Sequence, residues 1–204
     1  MSHTLILDAD GLLIKNAKRF SERYAKEFGV TVPMEGIRSF FATEFPLYLI
    51  GKADLKKVIG PHLTKWNWPK SVDDLLLYWF SGEKELDDRF VKAIKALRAR
   101  GVRCYLGTNN EKYRTEYLVS ELRLNNLLDG IFSSCTVGAQ KSSADFWESM
   151  HATLDNPDKT EVILWDDDEE NIHAAKAFGY TAHLYKHFSD FEAWTERLKQ
   201  STDK

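Results

Sequence analysis

The stretch Thr4–Leu13, TLILDADGLL, joins a short apolar run to two carboxylates. Residues Leu5 to Leu7 have the character of a buried strand, and Asp8 and Asp10 follow it one residue apart. Asp and Gly favour turns, so these residues could form a solvated strand exit. Two neighbouring carboxylates also repel each other, and a bound cation or a proton shared with a substrate would stabilise them. The rest of the chain decides between these two interpretations.

Later apolar runs predict four more buried strands. They are VRCYLGT from Val102, GIFSSC from Gly130, EVILWDD from Glu161 and TAHLYK from Thr181. Helical patterns lie between and after them in RFVKAIKALRARG, KYRTEYLVSEL, SADFWESMHATL, EENIHAAKAFG and FEAWTERLKQ. Strands that alternate with helices indicate parallel strands joined by crossover helices. The predicted fold class is therefore α/β, a doubly wound parallel sheet.

Residues 15–87 interrupt this alternation. They contain helical stretches such as KRFSERYAKEFG and SVDDLLLYWF, without strands between them. We therefore predict an all-helical insertion over 15–87, placed after the first strand. The α/β core would then comprise residues 1–14 and 88–204.

Composition excludes several classes of function. The chain has 204 residues and a formal net charge of −3, so no general positive field favours a nucleic-acid polymer or an anionic membrane. We see neither a signal peptide nor an apolar run of membrane-spanning length, and we expect a cytoplasmic protein. The cysteines, Cys104 and Cys135, lie in apolar, strand-like surroundings that are typical of reduced, buried thiols. The six histidines show no paired spacing for zinc.

Polar residues follow several of the predicted strands at their carboxyl ends, where parallel α/β sheets bind ligands. The set comprises Asp8 and Asp10; Thr108, Asn109 and Asn110; Asp166, Asp167 and Asp168; and, one short loop after a strand, Lys141. Carboxylates at this density call for a hard cation, and Mg²⁺ prefers carboxylates, water and phosphate oxygens. Thr108, the backbone N–H groups that follow it and Lys141 would suit the other oxygens of a phosphoryl group. Asp10 has no role in this arrangement, and a carboxyl group beside a nucleophilic Asp8 is suited to proton transfer.

The chain at this point resembles the haloacid dehalogenase superfamily of phosphohydrolases. Four short motifs carry the resemblance in the family's order: ILDADG, YLGTNN, GAQKSSADFW and VILWDDDEEN. The resemblance covers residues 1–14 and about 88–200, and the insertion lies where the family places a helical cap of the first type. Leu12 stands where the family usually has threonine or valine, and Ser142 where proline usually follows the lysine.

The resemblance implies a role for each motif residue. Asp8 would attack phosphorus to form an aspartyl-phosphate, and Asp10 would protonate the leaving oxygen and later activate water. Thr108 and Asn109 would bind the phosphoryl oxygens, and Lys141 would offset their charge. The cofactor would be Mg²⁺, held by Asp8, by the main-chain carbonyl of Asp10 and by a carboxylate of the fourth motif.

For that last ligand we favour Asp167. Alignment with the family's commoner Gly-Asp pattern places Asp167 on the principal ligand, Asp166 on the glycine and Asn171 on a later acid. Asp166 would then be a supporting or water-mediated metal contact. We expect Asp168 to cap a helix whose solvated first turn holds residues 169–170.

Asp10 favours phosphate esters over carbon–halogen bonds, because halide leaves without a proton and an alkoxide benefits from a general acid. We therefore predict a Mg²⁺-dependent phosphatase for a small soluble phosphomonoester, such as a sugar phosphate or a nucleotide. The alternatives are a β-phosphoglucomutase-like phosphotransferase and a catalytically silent binding protein of the same fold.

The insertion would choose the substrate by closing over the strand ends. Its aromatic residues could form either a stacking surface or a hydrophobic core, and a core is the more usual result. The residues concerned are Trp66, Trp68, Tyr78, Trp79 and Phe80. Arg38 and Lys52 could meet a second anionic group of the substrate.

Overall fold

The computed structural model of the protein describes residues 3–15, 20–28 and 34–202. These residues form a parallel sheet of five strands in the order β3-β2-β1-β4-β5. The strands are β1 (Thr4–Leu7), β2 (Arg103–Thr108), β3 (Gly130–Ser133), β4 (Val162–Asp166) and β5 (Thr181–Leu184). The doubly wound α/β prediction is confirmed.

The central strand β1 pairs with β2 on one side and with β4 on the other, so Leu5 lies beside both Cys104 and Ile163. All four residues of β1 are buried. Leu5 and Leu7 belong to one hydrophobic cluster and Ile6 to another, because successive side chains of a strand point to opposite faces. The strand is apolar throughout because helices cover both faces of the sheet.

The described core contains the five predicted helices and two short ones, at 124–127 and 134–137, that the sequence patterns do not predict. In chain order these helices are α7 (Asp88–Arg98), α8 (Lys112–Ser120), α9 (Leu124–Leu127), α10 (Ser134–Val137), α11 (Ala144–Thr153), α12 (Glu169–Phe178) and α13 (Phe188–Thr202). Helix α7 buries Phe90, Ile94 and Leu97 against the sheet, as their spacing predicts. None of the described helices is both long and apolar enough to cross a membrane.

The prediction for GIFSSC is wrong at its end. Strand β3 stops at Ser133, and Cys135 lies in the short helix α10, only partly buried. The side chains of Ser133 and Thr136 bond to each other at 3.0 Å and form a capping box that starts this helix. Cys104 is fully buried in β2, as expected.

The described chain between Phe20 and Ser81 consists of helices joined by short connections. The helices are α1 (Phe20–Phe28), α2 (Met34–Thr43), α3 (Phe45–Leu49), α4 (Leu55–Val58), α5 (Gly60–Lys65) and α6 (Val72–Ser81). We call them the insertion. It has its own hydrophobic cluster, in which Trp66, Trp68 and Phe80 are buried. Its two connections to the core run side by side, since Lys15 N donates to Glu85 O at 2.9 Å and Asp87 N to Leu13 O at 2.9 Å.

The insertion also meets the core at a glycine. Gly51 has a φ of +68°, and a Cβ atom built there would lie 2.5 Å from the carbonyl oxygen of Cys135. A side chain at this position would clash with core backbone as well as strain its own. Nearby, the Tyr113 hydroxyl of α8 donates to Asp54 Oδ1 of the insertion at 2.8 Å.

Candidate active site

The carboxyl ends of β1, β2 and β4 lie side by side and hold the predicted polar residues. Asp8 continues the β1 ladder by donating its N–H to Trp165 O at 3.0 Å. The chain then turns, with Gly11 at a φ of +87° and Gly11 N bonded to Ile14 O at 3.0 Å. The segment is therefore a turn, as its Asp and Gly content indicates. Within it Asp8 is buried, whereas the Asp10 side chain is 47% exposed.

The ammonium group of Lys141 joins two of these strand ends. Its Nζ donates to Asp8 Oδ1 and, at 2.7 Å, to Asp166 Oδ2. Lys141 is only 1% exposed, although lysine is rarely buried without a partner. The two carboxylates raise its pKa by outweighing its burial, so the ammonium form persists.

The loop that carries Lys141 is fixed at its backbone despite Ser142 in place of proline. Lys141 N donates to the side-chain oxygen of Asn109 at 2.9 Å, and Trp147 Nε1 donates to Lys141 O at 2.7 Å. Both polar groups of this peptide backbone are thus bonded to side chains. The Asn109 side chain is accordingly occupied with the lysine loop.

The two leading carboxylates of the fourth motif have different environments. Asp166 is fully buried, and its oxygens accept from Lys141 Nζ, from Asp168 N at 2.9 Å and from Asn171 Nδ2 at 3.2 Å. Asp167 is exposed at the same strand end. Asp168 accepts from Glu170 N at 2.8 Å and caps α12, as predicted. Protein donors therefore bond to both oxygens of Asp166, whereas Asp167 is exposed to solvent.

These carboxylates fit a hard divalent cation. Asp8, Asp166 and Asp167 each offer an oxygen, and the three oxygens lie within 4.8 Å of one another. Burial raises the pKa of Asp8 to about 8 against the opposing charge of Lys141, and burial and Asp166 raise the pKa of Asp167. Both shifts disfavour the ionised forms in the absence of further positive charge. An all-oxygen donor set is what Mg²⁺ prefers.

The end of β2 supplies a hydroxyl beside the carboxylates. Thr108 is buried, and its Oγ1 accepts from Asn110 Nδ2 at 2.6 Å. The same Asn110 amide donates to Asp10 Oδ2 at 3.1 Å. Asn110 thus links the threonine of one motif to the second aspartate of another.

The second oxygen of Asp10 has a charged partner. Arg114 Nη2 donates to Asp10 Oδ1 at 2.9 Å and to the carbonyl oxygen of Glu83 at 2.7 Å. Arg114 is buried on α8, and Glu83 follows the last helix of the insertion. One guanidinium group therefore connects Asp10, the core and the insertion. Charge-assisted bonds of this kind hold both groups in a fixed orientation.

Comparison with known proteins is consistent with this geometry. A family model described as haloacid dehalogenase-like hydrolase matches residues 3–179. The chain belongs to this family. Among curated proteins, the sesquiterpene phosphatase astK of Aspergillus oryzae is 31% identical over 114 residues. That match covers 56% of this chain and 56% of the relative, about half of each protein.

Solved structures of the family share the fold at low sequence identity. One from Porphyromonas gingivalis, described as a predicted HAD-like family hydrolase, has a TM-score of 0.79 at 18% identity and covers 97% of this chain and 98% of its own. A HAD family enzyme from Bacteroides thetaiotaomicron, in complex with magnesium and inorganic phosphate, has a TM-score of 0.77 at 16% identity, with 91% and 95% covered. L-2-haloacid dehalogenase from Xanthobacter autotrophicus, with chloropropionic acid covalently bound, has a TM-score of 0.62 at 16% identity. That match covers 89% of this chain and 76% of the dehalogenase chain.

Sequence reasoning missed Arg114 in this HAD-like hydrolase. A signal for it exists, because the residue lies in the first turn of α8, three positions after the N-cap Glu111. A cation there opposes the helix dipole, so its presence calls for an acidic partner. The partner could not be identified from sequence, since Asp10 is 104 residues away in the chain.

A cavity of about 700 Å³ lies between Asp10 and the insertion of the hydrolase. Of the predicted insertion residues, Trp79 and Arg38 line it, and Lys52 is not among its lining residues. Trp79 is partly buried and donates Nε1 to the Glu83 carboxylate at 3.1 Å. Tyr78 packs against the insertion cluster from its edge. The insertion aromatics therefore form a core, and Trp79 also forms part of a cavity wall.

Proposed function

We propose that this HAD-like hydrolase is a Mg²⁺-dependent phosphatase that hydrolyses a small phosphomonoester through an aspartyl-phosphate on Asp8. One observation carries the proposal: Asp8 is buried at the end of the central strand, in contact with Lys141, with Asp10 two residues on. A buried carboxylate beside a fixed ammonium group suits a nucleophile whose attack on a dianionic ester must be screened.

In the first step an oxygen of Asp8 attacks phosphorus, and the bond from phosphorus to the ester oxygen breaks. Asp10 donates a proton to that leaving oxygen and becomes a carboxylate. Arg114 and Asn110 stabilise this carboxylate, since their bonds of 2.9 and 3.1 Å reach its two oxygens. The alcohol then leaves toward the cavity that lies beside Asp10.

In the second step a water molecule attacks phosphorus as Asp10 takes its proton, and the bond from phosphorus to Asp8 breaks. Inorganic phosphate leaves, and Asp8 and Asp10 return to their starting protonation states. The same group thus acts as acid and then as base.

Thr108, Asn109 and Lys141 would receive the phosphoryl oxygens. The Thr108 hydroxyl lies on the strand next to Asp8, and the Lys141 ammonium group contacts Asp8 directly. We assign the backbone N–H of Asn109 to phosphate, because its side-chain oxygen accepts from Lys141 N. This N–H and the ammonium group would stabilise the negative charge that develops on the phosphoryl oxygens.

Asp8, the main-chain carbonyl of Asp10 and Asp167 would hold Mg²⁺. We assign Asp167 the direct role because protein donors occupy both oxygens of Asp166. Asp166 would then orient Lys141 and support the metal site. When bound, the metal ion would screen the charge between the nucleophile and the phosphoryl oxygens.

Two relatives support this proposal. The curated relative is named as a phosphatase, and one solved neighbour holds magnesium and inorganic phosphate. A dehalogenase also shares the fold, but Asp10 supplies the general acid that an alcohol leaving group benefits from and that halide does not need. A cytoplasmic location stays a prediction.

The test is hydrolysis of p-nitrophenyl phosphate, sugar phosphates and nucleotides with Mg²⁺ or with EDTA. We expect turnover that EDTA abolishes and that Asp8→Asn lowers by at least about 10³-fold, because an amide is a poor nucleophile. Asp168→Asn is the matched control, since asparagine caps a helix as well as aspartate does.

Equal turnover of wild type and Asp8→Asn would contradict the assignment of the nucleophile. Turnover only with an added bisphosphate activator would indicate a phosphotransferase. Mg²⁺ binding by a folded protein without turnover of any ester would indicate the silent binding protein.

A further inference from the structure

We propose that the substrate of this enzyme is a phosphate ester of an apolar alcohol, whose hydrocarbon part lies in the cavity beneath the insertion. This inference rests on the proposed phosphatase function and specifies its substrate class. It favours a hydrocarbon chain or ring over a sugar or a nucleoside.

The cavity is placed to receive a leaving group. Asp10, which would protonate the leaving oxygen, lines it together with Gly11, Asn110 and Arg114. The opposite side comes from the insertion. At about 700 Å³ the cavity lies within the range that holds drug-sized ligands, so it exceeds the needs of a short alcohol.

The wall opposite Asp10 is made of aromatic rings in mutual contact. The ring centroids of Phe41 and Phe45 are 4.8 Å apart, those of Phe41 and Trp79 are 5.3 Å apart, and those of Phe45 and Trp79 are 5.7 Å apart. Ile37 and Ile14 add aliphatic surface to the lining. Burying an apolar group against such a wall stabilises the complex, whereas the wall gives a hydroxyl few hydrogen-bond partners.

The polar groups that face the cavity near Asp10 already have protein partners. Trp79 Nε1 donates to the Glu83 carboxylate at 3.1 Å, and the Asn110 amide donates to Asp10 and Thr108. Arg114 bonds to Asp10 and to the Glu83 carbonyl oxygen. A sugar would have to replace these bonds to satisfy its hydroxyls, whereas a hydrocarbon leaves them intact.

Charged residues lie on both the buried and the exposed parts of the cavity lining. Glu111 and Arg114 are buried and Glu83 is partly buried, and each is bonded to protein groups. Glu22 and Arg38 line the cavity and are exposed to solvent. Exposed charges are screened and hydrated, so they contribute little to holding a ligand in the interior. The inner surface remains the aromatic wall and the partnered groups around Asp10.

The test compares ethyl, hexyl and decyl phosphate, below their micelle-forming concentrations, with glucose 6-phosphate and AMP, in the presence of Mg²⁺. We expect kcat/KM to rise by about two- to fourfold per methylene group, the value of burying that group. Glucose 6-phosphate and AMP should be poorer substrates than hexyl phosphate.

Ala42→Phe adds bulk to an exposed helix position that lines the cavity. We expect it to lower the ratio of kcat/KM for decyl over ethyl phosphate by about tenfold or more, because the added ring occupies space that the longer chain needs. Leu77→Phe is the control, since Leu77 is 61% exposed on the insertion and does not line the cavity. The control should keep the wild-type ratio.

Three results would overturn the inference, and they differ in what else they affect. Hydrolysis of ethyl phosphate with no dependence on chain length, or with glucose 6-phosphate as the better substrate, removes this inference and leaves the phosphatase proposal standing. No hydrolysis of any ester removes both. An unchanged decyl-to-ethyl ratio in Ala42→Phe would place the hydrocarbon elsewhere.

Discussion

At the sheet edge Lys141 is buried between two carboxylates, whereas in the insertion Phe40 is buried among aromatic rings. The stability of the first environment depends on the distance and orientation of individual bonds, since each buried charged group needs a partner within bonding distance. The second depends on area and shape, and many arrangements of rings would satisfy it. The proposed function accordingly assigns the reaction chemistry to the strand ends, where bond geometry is fixed, and the choice of substrate to the insertion, where the surface can vary.

The comparison is tested most strongly at Lys141. Lys141→Met leaves Asp8 and Asp166 buried without their cation, so we expect the free energy of unfolding to fall by about 3–5 kcal/mol. Hydrolysis of p-nitrophenyl phosphate should fall by at least about 10²-fold, because screening of the nucleophile is lost. Urea denaturation and initial rates measure the two effects. The exposed Lys176→Met is the control and should change stability by less than about 0.5 kcal/mol. A small loss at Lys141 would mean that its bonds to the two carboxylates contribute little to the free energy of unfolding.

Phe40→Ala should lower the free energy of unfolding about as much as Lys141→Met does, but it should lower the rate of hydrolysis much less. Phe40 is 1% exposed and touches the rings of Tyr48, His62 and Trp66, so truncation should lower the free energy of unfolding by about 3–4 kcal/mol. Leu77→Ala, at an exposed site of the same insertion, should change it by about 0.5 kcal/mol or less. If Phe40→Ala lowered kcat on p-nitrophenyl phosphate as strongly as Lys141→Met does, the division between the two regions would fail.

Gly51 tests the contact between the two regions. Gly51→Ala should lower the free energy of unfolding by about 1–2 kcal/mol because of the positive φ. The clash of the new Cβ atom with Cys135 O should lower it further. Gly101→Ala is matched to it, because Gly101 has a φ of +84° and open space around its Cβ position. The difference between the two variants in urea denaturation isolates the contact. Equal losses would show that the insertion moves away from the core at no cost.

The smallest expected effect is at Glu83, between the two regions. Burial raises the pKa of Glu83 to about 7, with Arg114 opposing the shift and Asp10 adding to it. The folded state then binds more protons than the unfolded state between about pH 4.5 and pH 7, so this group lowers stability as pH rises through that window.

Glu83→Gln keeps an oxygen that can accept from Trp79 and removes the titration. We expect the variant to be more stable than wild type by about 1–2 kcal/mol at pH 8, after allowance for partial exposure, and nearly equal to it at pH 4.5. Thermal unfolding at both pH values measures this. The same difference at both would show that Glu83 does not titrate in the window.

Much of the site at the carboxyl ends of the strands could be predicted from sequence, because its residues directly follow recognisable strands. Apolar runs that end in polar residues identify β1, β2 and β4, and parallel pairing then brings their ends together. Asp8, Thr108 and Asp166 were predicted to lie near one another on that basis, and the structure places them on adjacent strands. The end of β3 differs from the prediction because Ser133 starts a helix there, a competing role of serine that a strand pattern does not reveal.

The sequence by itself determined the alternation of strands and helices and the polar residues that follow the strands, because periodicity and turn chemistry are local. Only the tertiary structure decided which side chains meet: that Arg114 bonds to Asp10, that Asp166 is buried whereas Asp167 is exposed, and that aromatic rings form part of a cavity wall. These contacts join residues up to 104 positions apart in the chain. Their partners are selected by packing and by the satisfaction of buried charge, which depend on the whole fold.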